Sequence, residues 1–238
     1  MRKVLLSMAA SASLMLVAGA AAADGMQRGS IKDVGCAAAF QGFYMGVHGG
    51  FAQYTAHQND QDGFLTDNSG WTATDGKFTG GVQAGYNWQR SCNTLFGIEA
   101  DWAWGKLDAV TVDEPNDGPA SLTSSIKSYG TLRTRTGLVF DNLLLYVTGG
   151  LAIAVVDFKV SNPQSDPPEL FSFSNTRWGW TAGVGSEWAL RQNVTFKSEI
   201  LYLNFGDQSH SFISDADRFS FKTQDSIWVG RAGLNVRF

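Results

Sequence analysis

From Gly42 to the C-terminus the chain repeats one device, about a dozen residues in which apolar side chains alternate with small or polar ones. A two-residue period is that of a β-strand with one apolar face. The clearest case is 77–89, where Phe78, Gly80, Val82, Ala84, Tyr86 and Trp88 share one face and Thr79, Gln83 and Asn87 the other. In 94–105, Phe96, Ile98, Ala100, Trp102 and Trp104 alternate with Gly97, Glu99 and Asp101. In 128–140, Leu132, Thr134, Thr136, Leu138 and Phe140 alternate with Arg133, Arg135 and Gly137. The same reading covers 144–156, with Tyr146 and Thr148 on the polar side, and 177–190, with Thr181 and Glu187 there. It also covers 194–205, with Lys197 and Glu199, and 226–238, with Arg231, Asn235 and Arg237. The first segment, 42–54, sets Phe43, Met45, Val47 and Phe51 against Tyr44, His48 and Gly50. That makes eight segments.

Their connections alternate in length. Three are short, at 90–93, 141–143 and 191–193; four are long and polar, at 55–76, 106–127, 157–176 and 206–225. Short turns on one side and long loops on the other are the pattern of outer-membrane barrels. The apolar faces also carry aromatic residues at both strand ends. Phe43, Trp88, Phe96, Phe140, Trp188, Phe196 and Phe238 fall near the short turns, and Phe78, Trp102, Trp104, Trp180, Tyr202 and Trp228 near the long loops. Two such girdles suit the two interfaces of a bilayer, whereas a soluble sandwich turns its apolar face into a core. The pattern predicts an all-β chain, an eight-stranded antiparallel transmembrane up-and-down β-barrel over 42–238.

The N-terminus predicts export. Met1-Arg2-Lys3 is a positive n-region, 4–18 an apolar stretch, and Ala21-Ala22-Ala23 a small-residue cleavage site, so 1–23 reads as a signal peptide removed before Asp24. Residues 24–41 are then a periplasmic N-terminal segment. Cys36 is too far downstream to carry a lipid anchor. The periplasm is oxidising and the chain has two cysteines, which predicts a Cys36–Cys92 disulfide. Both would lie on the short-turn side, and the residues from Cys36 to Gly42 reach about 20 Å when extended.

Composition removes two classes. Outside 1–23 the longest apolar run, 143–156, is interrupted by Gly149 and Gly150 and is short of the about 20 residues a spanning helix needs. Without Arg2 and Lys3 the chain holds 16 basic and 22 acidic residues, a net charge of −6, which argues against a nucleic-acid binder. Residues 55–76, 106–127, 157–176 and 206–224 hold 14 acidic and 5 basic residues. Such charge keeps a surface soluble; it also suits divalent cations bridging to phosphorylated lipopolysaccharide, or a basic host surface molecule. Phe64 and Trp71 are candidate recognition contacts in the first loop.

The most specific constellation is the inward charge. Glu99 and Asp101 fall on the strand before Arg133 and Arg135, while Glu187, Lys197, Glu199 and Arg231 fall on the last three strands. Opposite signs are expected to meet across neighbouring seams. Eight strands leave a lumen that side chains just fill, so these charges read as a structural ion-pair core in preference to a gated ion path. Catalysis has little support. Ser209-His210-Ser211 reads as loop filler, and His57 with Asp60 and Asp62 matches no complete calcium loop. No cofactor or metal is expected.

Several runs resemble a known family. Gly42-Phe43-Tyr44-Met45-Gly46, Gly81-Val82-Gln83-Ala84-Gly85-Tyr86-Asn87-Trp88, Phe96-Gly97-Ile98-Glu99-Ala100-Asp101 and Tyr146-Val147-Thr148-Gly149-Gly150-Leu151-Ala152 are similar to the proteobacterial outer-membrane surface antigens. These are labelled "porin family" or outer membrane immunogenic protein, with barrels like the opacity proteins and the OmpA transmembrane domain. Terminal Phe238, with Val236 and Leu234 before it, resembles the signal recognised by the barrel-assembly machinery. The resemblance implies a structural envelope protein and surface antigen, in contact with outer-membrane lipid and lipopolysaccharide. A narrow porin, or a receptor for a small ligand such as haem, is the alternative.

Overall fold

The computed structural model describes residues 40–60, 71–91, 93–113, 120–162, 169–214 and 217–238. They form eight strands: β1 (Gly42–Asp60), β2 (Trp71–Ser91), β3 (Thr94–Asp113), β4 (Ala120–Phe140), β5 (Leu143–Asn162), β6 (Glu169–Arg191), β7 (Val194–Ser214) and β8 (Asp217–Arg237). Each pairs antiparallel with its neighbours in sequence, and β1 pairs with β8, so the sheet closes into a barrel. Closure satisfies every backbone ladder within hydrocarbon, the condition for a sheet to cross a membrane.

The predicted faces hold. Phe78, Val82, Tyr86 and Trp88 are exposed on β2, while Thr79, Gln83 and Asn87 are buried. On β4, Leu132, Leu138 and Phe140 are exposed and Arg133 and Arg135 are buried. The outward face meets lipid, so alternation here is the inverse of a soluble sheet. Outward rings meet along both girdles: Trp88 with Phe96 at 5.9 Å and Trp188 with Phe196 at 6.3 Å on the short-turn side, and Tyr202 with Trp228 at 4.9 Å on the other. The turn between β4 and β5 is two residues long, with Asp141 at φ 51°, a backbone region that Asp tolerates.

Three expectations are corrected. First, the long connections are mostly strand. Residues 55–60, 71–76, 106–113 and 120–127 belong to ladders, as do 157–162, 169–176, 206–214 and 217–225. In water a hairpin satisfies its backbone by extending its own ladder. The pattern was lost there for a local reason: register shifts fall at Trp104/Leu107, Ile126/Ser128 and Asn204/Asp207, where three predicted strands stop. A bulge inserts a residue and breaks the two-residue alternation. On β4 it turns both Ile126 and Tyr129 inward, each with no exposed surface.

Second, the lumen is not polar throughout. Tyr54, Ala56, Leu107, Ile126, Tyr129, Val156, Leu203, Phe205, Ile227 and Val229 join one apolar cluster toward the outer ends of the strands. There the β2/β3 ladder ends at Gly80–Trp104 and the β6/β7 ladder at Trp180–Asn204. Beyond these points β7-β8-β1-β2 and β3-β4-β5-β6 continue as two four-stranded sheets. Their inner faces share the apolar core, as in a β-sandwich. A second apolar cluster at the short-turn end contains Phe40, Leu95, Val139, Leu144 and Tyr146. Third, Arg237 is not an interior residue; it is half-exposed and its Nη2 donates to the Gln192 carbonyl in the β6–β7 turn.

Candidate functional site

Between the two apolar clusters lies a layer of ionised side chains. The β3/β4 register sets Glu99 opposite Arg133, and the β7/β8 register sets Glu199 opposite Arg231. Arg133 binds Glu99, Asp101 at 2.9 Å and Glu199 at 3.2 Å. Arg231 binds Asp101 at 2.9 Å and Glu199 at 2.7 Å. Lys197 reaches Glu99 at 2.8 Å and Glu199 at 3.2 Å. Arg135 binds Glu187 at 2.9 Å and Glu99 at 3.6 Å. All eight residues named from the sequence thus occur in one buried set of four cations and four carboxylates. Arg133 with Glu99 and Asp101, and Arg231 with Glu199, meet across neighbouring seams as expected, but other pairs do not. Lys197 on β7 reaches Glu99 on β3, and Arg231 on β8 reaches Asp101 on β3, so contacts cross the lumen. Glu187 lies opposite Lys197 in register, yet it takes Arg135, Thr195 Oγ1 at 2.5 Å and Asn235 Nδ2 at 2.9 Å.

Neutral groups complete the layer. Tyr44 OH donates to Glu99 at 2.6 Å and Tyr146 OH to Glu199 at 2.8 Å. The Arg135 guanidinium lies 4.6 Å from the Tyr44 ring centre and 5.2 Å from that of Tyr146. The rings face a group whose Nη2 has no hydrogen-bond acceptor. His48 Nδ1 lies 2.5 Å from Gln83 Oε1, and Gln83 donates to Asn235 at 2.7 Å. Asn87 donates to the Phe40 carbonyl at 2.6 Å and accepts from Arg135 Nε at 2.9 Å, which ties Phe40 to the ionic layer.

Sequence reasoning did not assign the tyrosines a role, although a signal was present. Tyr44 stands opposite Gly85, and Tyr146 opposite Gly185. A Cβ on either glycine would come within 2.5 Å of the ring or hydroxyl of its tyrosine, so the wall is thinned where each ring lies down. Two further pairs draw on the predicted loops, the first joining Arg177 at the start of a predicted strand to a loop carboxylate. Arg177 binds Asp225, which also accepts from Tyr54 OH at 2.6 Å, and Lys127 binds Asp157.

On the outer surface, Lys77 on β2 binds Asp108 on β3 at 2.9 Å, and the Asp108 N–H donates to Asp75 at 3.0 Å. Burial alone would raise the Asp108 carboxyl. Hydrogen bonds from Ser125, Lys77 and Lys106 outweigh it and bring the group down to about 2. His57 Nδ1 is 2.8 Å from Thr72 Oγ1. Asp62, Phe64, both cysteines and the side chains of Asp60, Trp71, Ser209, His210 and Ser211 lie outside the described residues. A groove bordered by Leu138, Leu145, Val147, Val184 and Ile200 opens on the lipid-facing side of the wall.

A closed antiparallel barrel with an apolar outer band, two aromatic girdles and a charged, filled interior is a bacterial outer-membrane β-barrel. The chain belongs to the outer membrane protein β-barrel domain family, whose profile matches residues 9–238. It is 31% identical over 208 residues to the 31 kDa outer-membrane immunogenic protein of Brucella melitensis, covering 83% of each chain. To the 22 kDa outer membrane protein of Rhizobium leguminosarum it is 32% identical over 161 residues, covering 68% of this chain and 66% of that one. Among solved structures, OprG of Pseudomonas aeruginosa superposes with a TM-score of 0.53 at 13% identity, covering 83% of this chain and 97% of OprG. That likeness is one of fold.

Proposed function

We propose that this protein is a non-catalytic structural component of the outer membrane and a surface antigen, with a lumen that does not conduct. The observation that carries this reading is the interior itself: a charge-balanced ionic layer with apolar clusters on either side. An ion entering the lumen would have to displace buried pairs, and leaving one partner uncompensated costs about 3–5 kcal/mol. Aqueous channels are found in barrels of about 16–18 strands. The immunogenic relatives support the antigen role, and the acidic outer segments support contact with lipopolysaccharide through divalent cations. Reconstitution of the purified protein in planar bilayers tests the closed lumen. The expected trace shows no stable single-channel steps. Stable steps of large conductance from the monomer would replace this reading with that of a porin.

A further inference from the structure

Six of the eight seams keep their ladders to the outer ends of the strands, whereas β2/β3 stops at Gly80–Trp104 and β6/β7 at Trp180–Asn204. Beyond them, 71–79 of β2 pair only with β1 and 107–113 of β3 only with β4. Likewise 169–179 of β6 pair only with β5, and 207–214 of β7 only with β8. The two interruptions are four strands apart, on opposite sides of the barrel. We propose that the outer sandwich is a clamp, whose two sheets part along these seams while the barrel beneath stays closed.

Parting the sheets breaks no backbone ladder, because none joins them there. The strands are also irregular at the base of each seam: β3 shifts register between Trp104 and Leu107, and β7 between Asn204 and Asp207. Gly206, at φ +70° with open space around its Cα, supplies a pivot that a side chain would strain. Below, the ionic layer joins β3, β4, β6, β7 and β8 through several bonds each, which fixes the base. Among the described residues, the sheets are held together by one apolar interface and a few side-chain ties. On the β2/β3 side these are Lys77–Asp108 at 2.9 Å, Asp108 N to Asp75 at 3.0 Å, and Thr79–Tyr129 at 3.0 Å. From β6, Arg177 reaches Asp225 on β8. The Lys77–Asp108 pair is partly exposed, so it acts as a latch whose loss raises the open fraction without unfolding either sheet. Opening would bare Leu203 and Ile227 on one side and Leu107 and Ile126 on the other.

The test is thiol labelling of intact cells with a membrane-impermeant maleimide, using Ile126→Cys and Leu203→Cys as probes and subtracting the signal of the parent chain. Both probe sites have no exposed surface in the closed form. Combining either with Lys77→Gln is expected to raise its labelling rate about two- to fivefold, a change within reach of one surface ion pair. Lys106→Gln removes a pair with the same carboxylate, but within β3, and is expected to leave the rate unchanged. A Thr195→Cys probe in the ionic layer should stay unlabelled in every background. The clamp is overturned if Lys77→Gln leaves both probes unchanged, if Lys106→Gln raises them equally, or if Thr195→Cys labels in parallel. Should one core probe fail to insert, the other reads the opposite sheet of the same interface.

Discussion

At the scale of single residues, the interior is organised by geometry as much as by charge. Arg135 is held by two carboxylates, by Asn87 and by two tyrosine faces, a use that suits a planar, delocalised cation. Arg135→Lys keeps the charge but loses the fork and the ring contacts. It is expected to lower stability by about 1–2 kcal/mol, read as a reduced urea midpoint in lipid or detergent with the barrel still formed. An unchanged midpoint would mean that charge alone matters there. The eight charged positions could be named from the chain because alternation assigns each to the inward face. Their partners could not, since a side chain crossing the lumen meets residues far away in sequence, as Lys197 meets Glu99.

At the scale of elements, the last strand closes the barrel against β1, and we propose that its final aromatic also serves as the assembly signal. Phe238 is 79% exposed, its ring lies 6.1 Å from Phe43, and its N–H donates to the Phe43 carbonyl at 2.9 Å. The terminal aromatic therefore completes the lipid-facing girdle across the β1/β8 seam. Deleting Phe238 is expected to reduce the heat-modifiable, membrane-inserted fraction severalfold when outer membranes are fractionated. Wild-type surface levels of the truncated chain would remove the proposed assembly role. The membrane parts of the strands were legible because lipid demands one uniformly apolar face. Their outer halves were not, since bulges at three sites interrupt the alternation and outward side chains there meet water.

At the scale of the whole molecule, the lumen is a stack: Phe40 and its apolar neighbours, then the ionic layer, then the sandwich core. Phe40 places the end of the N-terminal segment against the short-turn mouth, where its carbonyl accepts from Asn87. That position favours the proposed Cys36–Cys92 bridge, which would hold the segment there. Alkylation of the unreduced protein followed by mass spectrometry is expected to find no free thiol on either cysteine. Two alkylated cysteines would rule the bridge out.

The chain alone determined the number of strands, their order, which face meets lipid and the eight charges of the ionic layer. Each follows from a two-residue period imposed by hydrocarbon on one side of a thin wall. Only the tertiary structure decided which charges pair, that the outer lumen is apolar, and that two seams lose their ladders above the membrane. These depend on residues from distant strands converging across a narrow space, and on single-residue bulges whose effect is a change of register with a neighbour. Neither is written in the local alternation of any one segment.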